Sequence, residues 1–387
     1  MIESDVSPRR RILIGIDWFY PAYKAGGPTR SVINLVEWLG NEFDLYVLTG
    51  DRDLGDTQPF PDVPVNTWVN YKNLARVMYL SPDRRRLQHF RAILEEVQPQ
   101  VVHLNSMYSW AFTWKIRLAA RLIPTQPKVY LAPRGMLRVS ALAYKPLKKR
   151  VFLRMIQVLG WVRDLRFNPT DEAEAADVRR TFGPKTPIYI SAQLPTRASG
   201  NPTAPEKKRG SLKLVFVARI LPLKNLRLVL TALQQVKTTV QLTVIGPEED
   251  PAYSAEMKSL AETLPDHVLV SFLGAVPPAE VYRTLCENHV FILPTEGENI
   301  GHSIFEALQA GLPAIIADTT PWRGLKESKA GFDLPLSGPD AFAEAIDFFG
   351  EMDGDTFKTW REGARSFAAE SVLKSNQVAR VRELFSH

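Results

Sequence analysis

HVFILPTEGENIGHSIFEALQAGLPAIIAD, residues 289–318, sets a β-rich apolar run, a polar glycine-bearing loop, an apolar helix and a second β-rich run in succession. That order is the pattern of a strand–helix–strand crossover in a parallel sheet. On the helix, Ile304, Ala307, Leu308 and Gly311 share one face, and Glu306 lies with Gln309 on the other. Glu298 and Glu306 stand eight residues apart, with Gly301 and His302 between them. Taken alone, the spacing also suits an amphipathic helix with one solvated glutamate. The surrounding chain decides between the two.

Outward from this unit the same alternation runs in both directions. RILIGIDWF (11–19) reads as a strand and TRSVINLVEWL (29–39) as a helix with an apolar stripe. DLYVLTG, ARVMYLS, QVVHLN, KVYLAPRG, LRFNPT and IYISA read as further strands, with helical segments between most of them. A helix over 172–181 begins after Thr170-Asp171, a good capping pair. At 195–210, PTRASGNPTAPEKKRG breaks the pattern and reads as a linker. LKLVFVARI, NLRLVLTALQQV, QLTVIG, a helix through 264, HVLVSFLG and AEVYRTLCEN then lead back to the opening unit, and helices finish the chain. The expected fold class is α/β, with two doubly wound, Rossmann-like domains. The first spans 1–194 and the second 211–365, with 366–387 a helical segment packing back on the first.

Composition agrees with a folded protein. The chain has 387 residues, 45% hydrophobic and 23% charged, long enough for two domains of roughly 180 residues. One cysteine, Cys286, allows no intrachain disulfide framework and points to a reducing compartment. Six scattered histidines, without H-E-x-x-H or C-x-x-C, give no structural zinc site. MIESDVSPRRRILIGID places charge where a signal peptide needs its apolar core, and no apolar run reaches the roughly 18 residues of a membrane span. A cytoplasmic protein is expected. Net charge is +6 and the isoelectric point near 9.2, so an anionic partner fits. Between Arg134 and Arg166 nine basic residues face one acid, Asp164. Leu147, Val151, Phe152, Met155, Ile156 and Leu159 are interleaved there at helical spacing. The basic amphipathic stretch near 145–156 suits an anionic membrane surface; a helix with only a charged outer face is the plain alternative. No motif supports nucleic acid.

In an open parallel sheet, ligands gather outside the carboxyl ends of the strands. Arg219 follows LKLVFVA, with Lys224 in the next loop, and Gly246 follows QLTVI. TEGENIGH, following HVFILP, carries Glu298, Asn299, Ile300 and Gly301, and Glu306 stands about a turn into the helix. A helix start behind glycine offers free N–H groups and a positive dipole end, and two cations can neutralise a diphosphate. Eight helical residues span about 12 Å. The glutamates therefore suit two ends of an extended ligand, each carboxylate accepting hydrogen bonds from a vicinal diol. A sugar–diphosphate–nucleoside fits these parts.

VARILPLKN, VIG and ENIGHSIFEALQAGLPAI resemble the donor-binding half of family-4 (group 1) glycosyltransferases, retaining enzymes of the two-domain GT-B fold. YPAYKAGGPTRSV is similar to their glycine loop, PQVVHL to a strand ahead of their central cleft. APRGML, ALAYKPLKK and TPW (320–322) resemble a subgroup that builds bacterial polysaccharides. The resemblance implies that Arg219 and Lys224 bind the donor diphosphate, Glu306 the ribose hydroxyls and Glu298 the donor sugar. Asn299, Ile300, Gly301 and Gly246 would complete the nucleotide-sugar site. Gly26 and Gly27 would let the first loop approach phosphate or acceptor, where a side chain would intrude. In these enzymes the departing diphosphate takes the acceptor proton, so stabilising leaving-group charge is the protein's main task. No cofactor or metal is implied. The acceptor would be a glycan or lipid-linked glycan, in polysaccharide, capsule or lipopolysaccharide assembly at the inner face of the plasma membrane.

One position departs from that pattern. Where many relatives carry a histidine after the strand VYLAPRG, this chain has Arg134, and His103 lies on the preceding strand. Arg134 suits a phosphate on the acceptor, or else it belongs to the basic surface helix. Asp51-Arg52-Asp53 forms a D-x-D triplet at a strand end, for which a turn or capping role is expected over metal binding. A dehydrogenase would need G-x-G-x-x-G, which the chain lacks. A sugar-nucleotide epimerase of the same fold, needing no acceptor, and a non-catalytic glycan-binding scaffold are the alternatives.

Overall fold

The computed structural model describes residues 9–138, 141–142, 146–196, 205–298 and 300–386. The chain divides into two compact units, 1–194 with 376–387, and 195–375.

In the first unit, β1 (Arg11–Gly15) leads through a long loop to α1 (Gly27–Leu39) and β2 (Asp44–Gly50). An antiparallel pair, β3 (Trp68–Tyr71) and β4 (Ala75–Leu80), precedes α2 (Leu87–Val97) and β5 (Val101–Asn105). Then follow α3 (Ile116–Leu122), β6 (Lys128–Ala132), α4 (Pro146–Val158), β7 (Arg166–Phe167) and α5 (Glu172–Phe182). The sheet order is β3-β4-β2-β1-β5-β6-β7. Strand order reverses at β1, which pairs β2 on one side (Leu13 opposite Tyr46) and β5 on the other (Leu13 opposite Val102). Helices on both faces bury two clusters, one around Trp114 and Phe112, the other around Phe19 and Val36. Asp171 caps α5 by accepting from the Glu174 N–H at 2.7 Å, as Thr170-Asp171 predicts.

The second unit is regular. β8 (Ser211–Val217), α6 (Leu226–Leu233), β9 (Thr239–Ile245), α7 (Pro251–Ala261) and β10 (Val268–Gly274) form its first half. α8 (Pro278–Cys286), β11 (Val290–Leu293), α9 (His302–Gln309) and β12 (Ala314–Ala317) continue it, then β13 (Gly331–Leu334), α10 (Asp340–Gly350) and α11 (Gly354–Ser375). All six strands are parallel in the order β10-β9-β8-β11-β12-β13, with the switch between β8 and β11. Ile304, Ala307 and Leu308 of α9 are fully buried in its core. Burying Ile304 and Leu308 contributes roughly 1.5–3 kcal/mol each before entropy. Their spacing at i, i+3 and i+4 is why this stretch is a helix packed on the sheet.

After Ser375 the chain returns to the first unit as α12 (Gln377–Ser386). Phe385 is fully buried there, edge-on to Phe43 at 5.7 Å and to His103 at 5.6 Å.

Four elements differ from the sequence expectation. LRFNPT yields only the two-residue β7, and IYISA only a single bridge, Phe167 with Ile188. The two segments still exchange backbone bonds, Phe167 N to Pro187 O and Tyr189 N to Phe167 O, both at 2.8 Å, and Asn168 Nδ2 adds a bond to Tyr189 O at 2.7 Å, but the pairing is too short to form a full strand. β3 is an antiparallel edge strand with no apolar alternation to announce it, and β13 extends the second sheet where only helices are expected. Half of the expected linker, residues 197–204, lies outside the described residues.

Candidate functional site

In the second unit, the loops leaving β8, β9, β11 and β12 are laced together at the carboxyl edge. Ala218 N donates to Ile245 O at 3.0 Å and Ile220 N to Pro247 O at 2.9 Å, joining the first two. Gly246 sits in that seam at φ 149°, and a Cβ there would lie 1.8 Å from the Ala218 carbonyl oxygen. No other residue fits. Glu296 N and Thr295 Oγ1 both donate to Leu223 O, at 2.9 and 3.2 Å, tying the β11 loop to the turn that carries Lys224. Thr319 Oγ1 donates to Thr295 O at 2.6 Å, adding the β12 loop.

This lacing fixes the charged groups. Lys224 Nζ forms an ion pair with Glu298 Oε1, the two side chains only 10% and 16% exposed. The structure therefore brings together two residues that lie 74 positions apart. Arg219 is instead half-exposed and pairs Nη1 with Glu249 Oε2 at 2.6 Å. A pair that open contributes about 0–1 kcal/mol, so an anionic ligand can displace Glu249 at little cost.

Gly301 stands at the N-cap of α9 in the left-handed region at φ 70° and has no side chain of its own with which to cap the helix. A Cβ there would meet Ile304 Cδ1 at 2.8 Å. Trp322 Nε1 donates to Ile300 O, and the indole stacks on Phe305 at 5.7 Å, fixing the approach to the helix. Glu306, in the second turn, is partly buried and accepts from Thr196 Oγ1 at 2.9 Å. Gln309 donates to Thr196 O at 3.1 Å. Glu306 is thus a placed carboxylate. Asn299 lies outside the described residues.

The remaining predicted residues, Gly26, Gly27 and Arg134, belong to the first unit. Gly26 has φ 68° at the start of α1, a conformation that favours glycine, whereas a Cβ at Gly26 or Gly27 would meet nothing within 4 Å. Backbone conformation, rather than crowding, explains Gly26, and nothing in the structure explains Gly27. The loop is held by Asp53, whose Oδ2 accepts from Tyr23 N at 2.9 Å and Lys24 N at 3.2 Å. Asp51 pairs with Arg52 and Arg85, each at 2.9 Å. Both aspartates of the D-x-D triplet therefore serve as capping and pairing groups.

Arg134 is not part of the basic helix. It follows β6 at φ 56° and donates Nε and Nη2 to Asn105 Oδ1 at 3.2 and 2.6 Å. Asn105 Nδ2 lies 3.3 Å from His103 Nδ1, and His103 Nε2 lies 3.1 Å from Asn168 Oδ1. Donors run one way along this chain, which sets His103 as the neutral Nε2–H tautomer. Burial, then the charge of Arg134, pushes His103 down to about 3. Burial lowers Arg134 to about 10, so it stays charged at neutral pH. Glu174, fully buried, accepts from Gly135 N and from Thr170 N and Oγ1, fixing the turn behind Arg134.

Sequence reasoning missed Asp17. It follows β1 at the point where strand order reverses, accepts from Ser109 Oγ at 2.7 Å, and is held above the usual carboxylate range by burial. The strand-end rule applied to RILIGID would have found it.

α4 keeps Leu153 and Ile156 buried, but Leu147, Val151 and Val158 are 71%, 61% and 72% exposed. Lys148, Arg150 and Arg154 are exposed beside them. The outer face is mixed rather than purely charged; Lys145 lies outside the described residues. Among the described residues, no helix is long and apolar enough to cross a membrane.

Residues 201–367 match the family model described as glycosyl transferases group 1. No curated protein sequence matches the chain. Solved structures share its fold along nearly the whole length. Sucrose-phosphate synthase from Thermosynechococcus elongatus is 17% identical, covering 98% of this chain and 100% of its own, with a TM-score of 0.65. HepE from Anabaena, solved with UDP-glucose, is 15% identical over 97% and 100%, with a TM-score of 0.66. WaaG, a glycosyltransferase involved in lipopolysaccharide biosynthesis, is 13% identical over 97% and 99%, with a TM-score of 0.59. The fold is that of the two-domain GT-B glycosyltransferases.

Proposed function

From the premise that the second unit is a group 1 glycosyltransferase domain, we propose that the protein moves a sugar from a nucleotide-diphosphate sugar to a glycan or lipid-linked acceptor, retaining anomeric configuration. The observation that carries this is the Lys224–Glu298 pair, its side chains 10% and 16% exposed, at the strand-carboxyl edge that also carries Arg219 and the start of α9. Two cations and a helix start behind glycine suit a diphosphate; Glu298 and Glu306 suit hydroxyls at either end of it. HepE was solved with UDP-glucose, which supports a ligand of this class.

In this proposal the bond from the sugar's anomeric carbon to the diphosphate breaks while the bond to the acceptor oxygen forms. The acceptor proton passes to the departing diphosphate. Lys224 and Arg219 stabilise the charge that grows there, and Glu298 holds the sugar while fixing the Lys224 ammonium. Electrostatic stabilisation of this kind is commonly the largest catalytic term. These cations supply the needed charge, so turnover is expected without added divalent metal. Arg134, charged and anchored through Asn105, suits a phosphate on the acceptor. The mixed face of α4 suits the anionic membrane on which a lipid-linked acceptor would reside, as in polysaccharide or lipopolysaccharide assembly.

The direct test incubates the protein with UDP-, GDP- and ADP-sugars and a lipid-diphosphate glycan acceptor. Proton NMR of the new linkage should show the donor's configuration. An inverted product would defeat the mechanism. Conversion of the donor without any acceptor would favour an epimerase.

A further inference from the structure

A second cationic site lies at the opposite edge of the same sheet. It is a cavity of about 370 Å³ lined by Lys207, Lys358, Arg361, Arg365, Glu206 and Glu362, among others. Lys207 precedes β8 and α11 begins beside it, so the cavity faces the amino ends of the strands. Arg219, Lys224 and Glu298 follow the carboxyl ends and take no part.

Arg361 is 3% exposed, yet among the described residues its Nη1 has no hydrogen-bond partner. Its Nη2 makes one long contact, 3.4 Å, to the Ala310 carbonyl at the end of α9. Arg365 packs against that same end: a Cβ on Gly311 would lie 2.6 Å from its Nε. Burial, then repulsion from Arg365, lowers Arg361 to about 10, with only Cys286 acting against them. The end of α9 offers roughly half a negative charge. That offsets only part of the Arg361 charge. Lys207 adds a third buried cation, its ammonium spent on the carbonyls of Lys208, Gly350 and Met352 at 2.8–2.9 Å. The two carboxylates, Glu206 and Glu362, are both exposed. A buried guanidinium left without a partner costs stability unless something supplies acceptors.

We propose that this cavity binds the phosphate group of a small phosphorylated molecule, with Arg361 as its buried anchor and Arg365 and Lys358 as flanking cations. A guanidinium fork matches two phosphate oxygens, and the volume leaves room for an attached small group.

Calorimetric titration of the full chain with inorganic phosphate tests this. Wild-type protein should take up phosphate saturably. Arg361→Gln and, independently, Lys358→Glu should each weaken uptake about tenfold or more, the loss of one charge-assisted contact. Lys358 is exposed, so its variant remains informative should Arg361→Gln fail to fold. Lys224→Met should leave phosphate affinity within about twofold, a difference of a few tenths of a kcal/mol. Absence of saturable uptake would overturn the proposal, as water would then fill the cavity. So would unchanged affinity in Lys358→Glu, or loss in Lys224→Met alone, which would place the ion at the other edge.

Discussion

Lys224 is where sequence and structure inform each other most closely. A lysine after a strand suggested a diphosphate, but its ion pair with Glu298 was invisible, because 74 residues separate them. The pair changes what mutation should do. Lys224→Met removes the charge the leaving group needs, so turnover should fall about 10²-fold or more, with a smaller rise in KM. It also strands Glu298, mostly buried, at a cost of about 1–3 kcal/mol. Adding Glu298→Gln should recover much of that stability in urea unfolding without restoring turnover. If turnover returns with stability, the charge role is wrong. Glu306→Ala should weaken nucleotide-sugar binding by about 1.5–3 kcal/mol, and unchanged affinity by calorimetry would remove the ribose assignment. His103 gives a pH signature. Its folded value, about 3, lies below the ordinary 6.5, so the unfolded chain binds the extra proton between those values. Stability is therefore full above about pH 6.5 and declines as pH falls toward 3, by up to about 1.4 kcal/mol per pH unit. His289, lowered to about 4 by burial, acts in the same direction. His103→Gln should flatten the slope of stability against pH between 4 and 6; an unchanged slope would mean that His103 already titrates normally. Strand-end position made Arg219, Lys224 and Glu298 legible. Asp17 was equally legible by that rule, but its partner Ser109 is not close in sequence.

Periodicity located most strands and helices, because in a doubly wound sheet each element buries a face that its residue spacing must match. It overestimated the sheet's edge at 166–191, where only a few backbone bonds pair the segments, and missed the edge strand β3, which buries little. α4 illustrates a subtler limit. Its apolar residues were all legible, but not that Leu153 and Ile156 face inward while Leu147, Val151 and Val158 face out. Helical geometry puts Leu147, Val151, Arg154 and Val158 on one stripe, flanked by Lys148 and Arg150. Lys149 is otherwise engaged, donating to Ala141 O at 2.6 Å and lying over Tyr108. The informative reversal is therefore Lys148, Arg150 and Arg154 to glutamate. Each cation near an anionic surface contributes about 1 kcal/mol, so flotation with phosphatidylserine vesicles should weaken at least tenfold. Binding that survives at physiological salt would show that α4 is not the contact.

At the scale of the whole molecule, the chain divides into two units after Leu194, and the proline, glycine and lysine of 195–210 are residues that do not build a buried face. The expected helical return over 366–387 differs in its bounds, since only 376–387 groups with the first unit, where Phe385 meets Phe43 far away in sequence. Each unit has its own core clusters, and the charged residues assigned to the donor all belong to the second. Donor binding should therefore act unequally on the two. A nucleotide sugar at 100 times its Kd adds about 2.7 kcal/mol to whatever must unfold to release it. Amide hydrogen exchange with and without donor should show slowed exchange around 217–225, 245–250 and 295–306. The strands of the second unit that exchange only by its global opening should be slowed as well. Strands β2 and β4 of the first unit should change far less. Gly246→Ala supplies the control. A Cβ pressed against the Ala218 carbonyl should destabilise the second unit by on the order of 1–3 kcal/mol and abolish the donor effect there, leaving exchange in β2 and β4 unchanged. Protection concentrated in the first unit would move the donor site away from Lys224 and Glu306.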